Sequence, residues 1–241
     1  MSGSRRAAMR AMARGRDKPL GKAFRRPYPR HMRFKALMVD VDGVVIVHPD
    51  PQGWAVHLER DLDLSPALLQ SAFFALHWPD IILGRAGLRE RLAPVLAEIA
   101  PELDADRLIR YWFENDAHLD HGLLAQLEPI RAGGVKLYLA TVQEHERARY
   151  IWDELALKRH FDGMHYAAEL GSAKPEARFF RAAAERSGLS PDEIFFIDDK
   201  QANVEAARRE GWGAALWDGS RSLAVLMAEQ AALPPTPSPR P

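Results

Sequence analysis

Asp40-Val41-Asp42-Gly43 ends the apolar run Phe34-Lys35-Ala36-Leu37-Met38-Val39 with two carboxylates one residue apart. Residues two apart on a strand point to the same side, so both acids stand together where the strand runs out. Gly43 lets the backbone turn and approach a ligand closely. Two such acids repel each other, so the pair implies a bound cation or a proton held by one member. A second pair, Asp198-Asp199, ends another apolar run, Ile194-Phe195-Phe196-Ile197. Thr141 follows the apolar stretch 136–140, and Lys174 stands just ahead of Pro175, a residue at home in the first turn of a helix. Taken singly, these are a turn, a helix cap and a surface charge. Their joint occurrence at the ends of buried strands overturns the bland readings.

The elements that must position them follow from the hydrophobic pattern. Strands are expected at 34–39, 136–140, 194–197 and 213–217. Helices are expected at 120–132, 143–156, 175–187 and 201–210, the last closed by Gly211. Alternation of this kind, with continuous apolar strands, predicts an α/β fold: a parallel, doubly wound sheet covered by helices on both faces. Ligands in open sheets bind beyond the carboxyl ends of the strands, where both acidic pairs fall. Residues 49–118 break the rhythm and read as helices at 54–63, 65–77, 87–99 and 104–117, punctuated by Pro49, Pro51, Pro79, Pro94 and Pro101. Inserted directly after the acidic turn, this segment is expected to lie over the site as a small helical lid. His77-Trp78 and Gly84-Arg85-Ala86-Gly87 either reach the substrate or serve as a packed aromatic and an inter-helix turn. Trp112 and Phe113 are expected in the core of the lid. The organisation is then an arm at 1–33, a main domain at 34–48 and 119–230, a cap at 49–118 and a Pro-rich tail at 231–241.

Composition narrows the function classes. No apolar run approaches the roughly 20 residues that cross a bilayer, so no membrane partner is expected. The absence of cysteine excludes disulfides, thiol catalysis and thiolate metal sites, and fits a reducing cytoplasm. The net charge of zero hides an asymmetry: residues 1–33 hold eleven Lys or Arg against Asp17, leaving 22 bases against 32 acids elsewhere, a net of −10. An acidic body disfavours nucleic acid. The basic arm reads as a solvated tail, an Arg-rich organelle-targeting peptide, a nucleic-acid arm, or a stretch upstream of a start at Met32. The Pro-rich tail is expected to be disordered. No Gly-x-Ser-x-Gly, P-loop or dinucleotide fingerprint is present, and the histidines show no metal spacing.

With these residues in hand, the chain resembles the haloacid dehalogenase (HAD) superfamily, in the subfamily with a helical C1-type cap. The resemblance spans about residues 34–228. Its motifs are Asp40-Val41-Asp42-Gly43-Val44, Leu139-Ala140-Thr141, Lys174-Pro175-Glu176 and Phe196-Ile197-Asp198-Asp199, with Asn203 at a common downstream position. The resemblance implies a Rossmann-like core and a Mg²⁺-dependent phosphohydrolase acting on a small phosphorylated metabolite, a sugar phosphate or similar. It implies Asp40 as the nucleophile that forms an aspartyl-phosphate and Asp42 as general acid and base. Thr141 and Lys174 would hold the phosphoryl group. Mg²⁺ would be held by Asp40, the backbone carbonyl of Asp42 and the Asp198/Asp199 pair, all oxygen ligands. Four carboxylates and one ammonium leave −3, which repels phosphate; Mg²⁺ and a protonated Asp42 bring the site to zero. Val142 stands where the family often carries Asn, removing a side-chain contact near the phosphate. A phosphomutase of the same superfamily is the related alternative. A dehalogenase has no need of Asp42 as acid. A weakly catalytic phospholigand sensor or scaffold is the reading from another class.

Overall fold

The computed structural model describes residues 33–50 and 53–234; the basic arm up to His31-Met32 and the Pro-rich tail from 235 lie outside them. Five strands, β1 (Ala36–Val39), β2 (Lys136–Thr141), β3 (Gly163–Tyr166), β4 (Ile194–Asp198) and β5 (Gly213–Leu216), form one all-parallel sheet in the order β3-β2-β1-β4-β5. β1 is buried on both faces, and its side chains alternate accordingly. Leu37 and Val39 join one core with Phe195 and Ile197, while Met38 joins the other with Ile194 and Phe196. That period-two split is what two helical layers on a central strand require.

The helices of the main domain are α6 (His121–Ala132), α7 (His145–Arg149), α8 (Ala167–Leu170), α9 (Ala177–Ser187), α10 (Gln201–Arg209) and α11 (Leu223–Ala232). Leu123, Leu127 and Ile130 of α6 and Leu223, Leu226 and Met227 of α11 bury on one face. Phe179, Phe180 and Ala183 of α9 and Val204 and Ala207 of α10 bury on the other, around Trp212. Asp120 caps α6 through Leu123 N–H at 2.9 Å, and Glu144 caps α7. These caps satisfy backbone donors that have no partner within the helix.

Residues 53–118 gather around a hydrophobic cluster of their own. It is built by α1 (Leu58–Leu62), α2 (Pro66–Leu69), α3 (Ala75–Ile81), α4 (Leu88–Ile99) and α5 (Ala105–Asn115). A π-helical turn, Gln70–Phe74, joins α2 to α3. Trp112 and Phe113 are buried in this cluster, as their sequence position predicts, and Trp54 stacks on Trp112 at 5.2 Å. Pro79 and Pro94 do not end helices: both lie inside them on exposed positions, where the missing N–H bond and ring crowding fall on the solvent side. The two strands of chain linking this segment to the sheet pair with one another, Val47 N–H to His118 O at 2.9 Å and Asp120 N–H to Val45 O at 2.8 Å. No helix among the described residues is long and apolar enough to cross a membrane.

The expected helix at 143–156 is an α-helix only over His145–Arg149 and then a π-helical stretch, Tyr150–Glu154. β3 and α11 were not expected. β3 carries His165, which is buried. Its Nε2–H donates to Ser187 Oγ at 2.9 Å, since that hydroxyl itself donates to Ala183 O at 2.7 Å. Burial, with the charge of Arg186 nearby, pushes the imidazole down to about 4 from its ordinary 6.5. A depressed folded value means the unfolded chain takes up the proton first as pH falls. The contribution is whole above about pH 6.5 and is lost between there and pH 4. Between pH 7 and 4, urea midpoints should show the wild type losing up to about 3 kcal/mol more than His165→Asn; parallel curves would contradict this.

Candidate active site

β1 and β4 are neighbours whose onward connections run to opposite sides of the sheet, which makes the gap beyond their carboxyl ends the switch point of the topology. The register pairs Val39 with Ile197, and Asp40 N–H extends the ladder to Ile197 O at 3.1 Å. Asp40 and Asp198 are therefore set side by side by strand pairing alone. Lys174, on the loop that opens α9, reaches between them. Its Nζ lies 2.8 Å from Asp40 Oδ1 and 2.5 Å from Asp198 Oδ2, with the side chain almost wholly buried. Ser172 Oγ donates to Glu176 Oε2 at 2.8 Å and braces that loop.

After Asp40 the backbone closes tightly, with the N–H groups of Val44, Val45 and Ile46 all aimed at Val41 O. Gly43 sits at φ +80°, and a Cβ there would come within 2.5 Å of Asp199 Oδ2. Glycine is thus required twice, by conformation and by the carboxylate beside it. Asp40, Asp198 and Asp199 each bring one oxygen to within 4.8 Å of the others. Such a trio of hard donors could hold a divalent ion.

The four carboxyl groups sit in different electrostatic settings. Burial pushes Asp40 up to about 7 against the pull of Lys174. Burial and then the Asp116 charge raise Asp42, opposed by Arg147. Burial acts on Asp198 too, but Lys174 and its hydrogen bonds outweigh it and hold that carboxyl low. Asn203 Nδ2 touches both of its oxygens at 2.9 Å, and Lys200 N–H donates to Oδ1 at 2.8 Å. Asp199 is raised by partial burial.

Thr141 ends β2 beside β1. It is fully buried, and its Oγ1 has no hydrogen-bond partner among the described residues. Buried hydroxyls seldom go unpaired, so this one could donate to a ligand oxygen. Asp42 stands apart from the trio, with its Oδ2 accepting from Gln143 Nε2 at 2.7 Å. Gln143 was not anticipated; a single amide two residues past Thr141 carries no recognisable spacing. Arg147 was missed as well. It is buried and donates to Phe113 O at 2.9 Å and to Asp116 O, tying α7 to the exit of the helical segment. Gly84, at φ +71°, brings that segment against the core: a Cβ would fall 2.4 Å from Ala168 O and 2.9 Å from His145 Nε2. Of the two readings of Gly84–Gly87, the inter-helix turn is the one the structure matches, since it lies between α3 and α4.

Comparisons with known proteins bear on the fold and the family. The family of haloacid dehalogenase-like hydrolases matches residues 34–211. A phosphorylated carbohydrates phosphatase of Thermotoga maritima is 28% identical over 90 residues, which is 37% of this chain and 42% of the relative. The chain thus matches less than half of that protein's length. A HAD family enzyme of Bacteroides thetaiotaomicron, solved with magnesium and inorganic phosphate, superposes with a TM-score of 0.65 at 18% identity. That match covers 80% of this chain and 98% of the other. A predicted HAD-like family hydrolase of Porphyromonas gingivalis superposes at 0.67, also at 18% identity, over 84% and 100% of the two chains. At such identities the superpositions speak for the fold, while the match over residues 34–211 speaks for membership: this chain belongs to the haloacid dehalogenase-like hydrolases.

Proposed function

We propose that this hydrolase is a Mg²⁺-dependent phosphatase of a small phosphorylated metabolite, a sugar phosphate or similar. Asp40 forms the aspartyl-phosphate, and residues 49–118 act as the cap. The observation that carries the reading is the buried Lys174 ammonium bridging Asp40 and Asp198 at the end of the sheet where Thr141 offers an unpaired hydroxyl. The name of the Thermotoga relative and the magnesium and phosphate bound by the Bacteroides enzyme point the same way.

The oxygen trio of Asp40, Asp198 and Asp199, within 4.8 Å of one another, suits Mg²⁺, and Gly43 leaves Asp199 room to take part. The backbone carbonyl of Asp42 would complete the set. When bound, the ion supplies positive charge that lets a phosphate dianion approach four carboxylates. The chain's own groups do the rest. Lys174 and Val41 N–H, at 2.8 and 2.7 Å, fix Oδ1 of Asp40, leaving Oδ2 to attack phosphorus. Thr141 donates to a phosphoryl oxygen, and Lys174 offsets charge that builds on the transferring group. Asp42, whose burial favours the protonated form, gives its proton to the leaving oxygen. It then takes one from the water that releases phosphate.

Hydrolysis of p-nitrophenyl phosphate should require Mg²⁺ and cease with EDTA, and Asp40→Asn should lower kcat about a thousandfold or more. A variant as fast as the parent would sink the mechanism. The proton on Asp40 below about pH 7 must leave before a cation binds. The half-saturating Mg²⁺ concentration should therefore rise about tenfold per pH unit from 7 to 5.5 and level off above 7. A flat dependence would contradict the assignment of Asp40 as a ligand.

A further inference from the structure

We infer that Gln143 is the positioning residue for the proton transfer to the leaving group. The inference rests on the phosphatase reading and goes past it in naming what aims Asp42.

A carboxyl group on a short stem has a broad torsion about its last bond, so an unanchored Asp42 presents either oxygen over a range of angles. Gln143 Nε2 donates to Oδ2 of Asp42 at 2.7 Å, pinning one oxygen and leaving Oδ1 as the one that faces the reacting group. An amide N–H only donates, and a carbonyl oxygen is the better acceptor, so the arrangement favours the acidic proton on Oδ1. In the transfer, the Asp42 Oδ1–H bond breaks and the proton passes to the bridging ester oxygen. The P–O bond cleaves with its electron pair going to that oxygen, and Asp40 Oδ2 forms the new bond to phosphorus. The products are the alcohol, the aspartyl-phosphate and a carboxylate on Asp42, whose Oδ2 the Gln143 donor continues to hold.

Gln143 is built to keep that aim. Its side chain is buried, and its backbone carbonyl accepts from Ala168 N–H at 3.1 Å. The next residue, Glu144, caps α7 through Glu146 N–H at 2.8 Å and Arg147 N–H. Arg147 is clamped in turn on Phe113 O and Asp116 O. Anchors on both sides fix the approach of the amide, as a preorganised site requires. Val142, by contrast, has no polar side chain to offer Asp42.

The test uses the full chain and a set of esters that differ in their need for a proton: p-nitrophenyl phosphate, phenyl phosphate and glycerol 2-phosphate. Gln143→Leu, close in size and without a donor, should lose at least about tenfold more kcat on glycerol 2-phosphate than on p-nitrophenyl phosphate. Asp42→Ala should show the same trend more steeply. Adding Gln143→Leu to Asp42→Ala should bring no further bias between the esters, because the amide acts through a carboxyl that is gone. Equal losses on all three esters, or a further bias in the double variant, would overturn the inference. Gln143→Met serves in the same assay should the leucine variant fail to fold. If Asp40→Asn is inactive while Gln143→Leu shows no bias, only this inference falls; an active Asp40→Asn removes the phosphatase reading beneath it.

Discussion

The ammonium of Lys174, buried between Asp40 and Asp198, is the contact on which the site depends. Strand pairing forces the two acids together, and burial makes their charges costly. One cation in the right place offsets both. Removing one member of such a buried group typically costs about 3–5 kcal/mol, because a charge is left without a partner. The surroundings reinforce the arrangement. Asp198 accepts hydrogen bonds from Lys174, Asn203 and Lys200 N–H, so it stays ionised. Asp40, with fewer donors, holds its proton to about pH 7. Four similar side chains thereby acquire different tasks in the proposed reaction, through environment rather than type.

The helical segment is tied to this centre by a few definite contacts. Its entry and exit chains pair next to the acidic turn. Arg147 reaches from α7 to the end of α5, and Gly84 meets Ala168 and His145. Arg89 adds an ion pair to Glu146 of α7 at 3.1 Å, though an exposed pair of this sort contributes little. The stretch from Gln143 into the start of α7 thus touches both Asp42 and the segment proposed as the cap.

The sheet and its switch point were legible in the sequence because β1, β4 and most of β2 are continuous apolar runs ending in polar side chains. β3 was not. Gly163-Met164-His165-Tyr166 is a four-residue edge strand with neither an apolar run nor clean alternation, and its pairing with β2 supplies what its composition lacks. Pro79 lies beyond the helix expected to end at 77, yet α3 runs through it to Ile81, since sequence alone does not say which face of a helix a proline occupies. The residues gathered around Lys174 had been singled out by their strand-end positions. Gln143 and Arg147 had not: each is of a type that ordinarily faces solvent, and each acts through partners far along the chain, 101 residues for Gln143 and Asp42.

A divalent ion held by the carboxylate trio is the claim from which the proposed chemistry follows. Electron paramagnetic resonance of Mn²⁺ titrated into the protein tests it most directly. The account predicts one bound ion per chain, displaced by Mg²⁺ and weakened by at least about tenfold in Asp199→Asn. Free Mn²⁺ signal at every concentration, or binding untouched by that substitution, would contradict it.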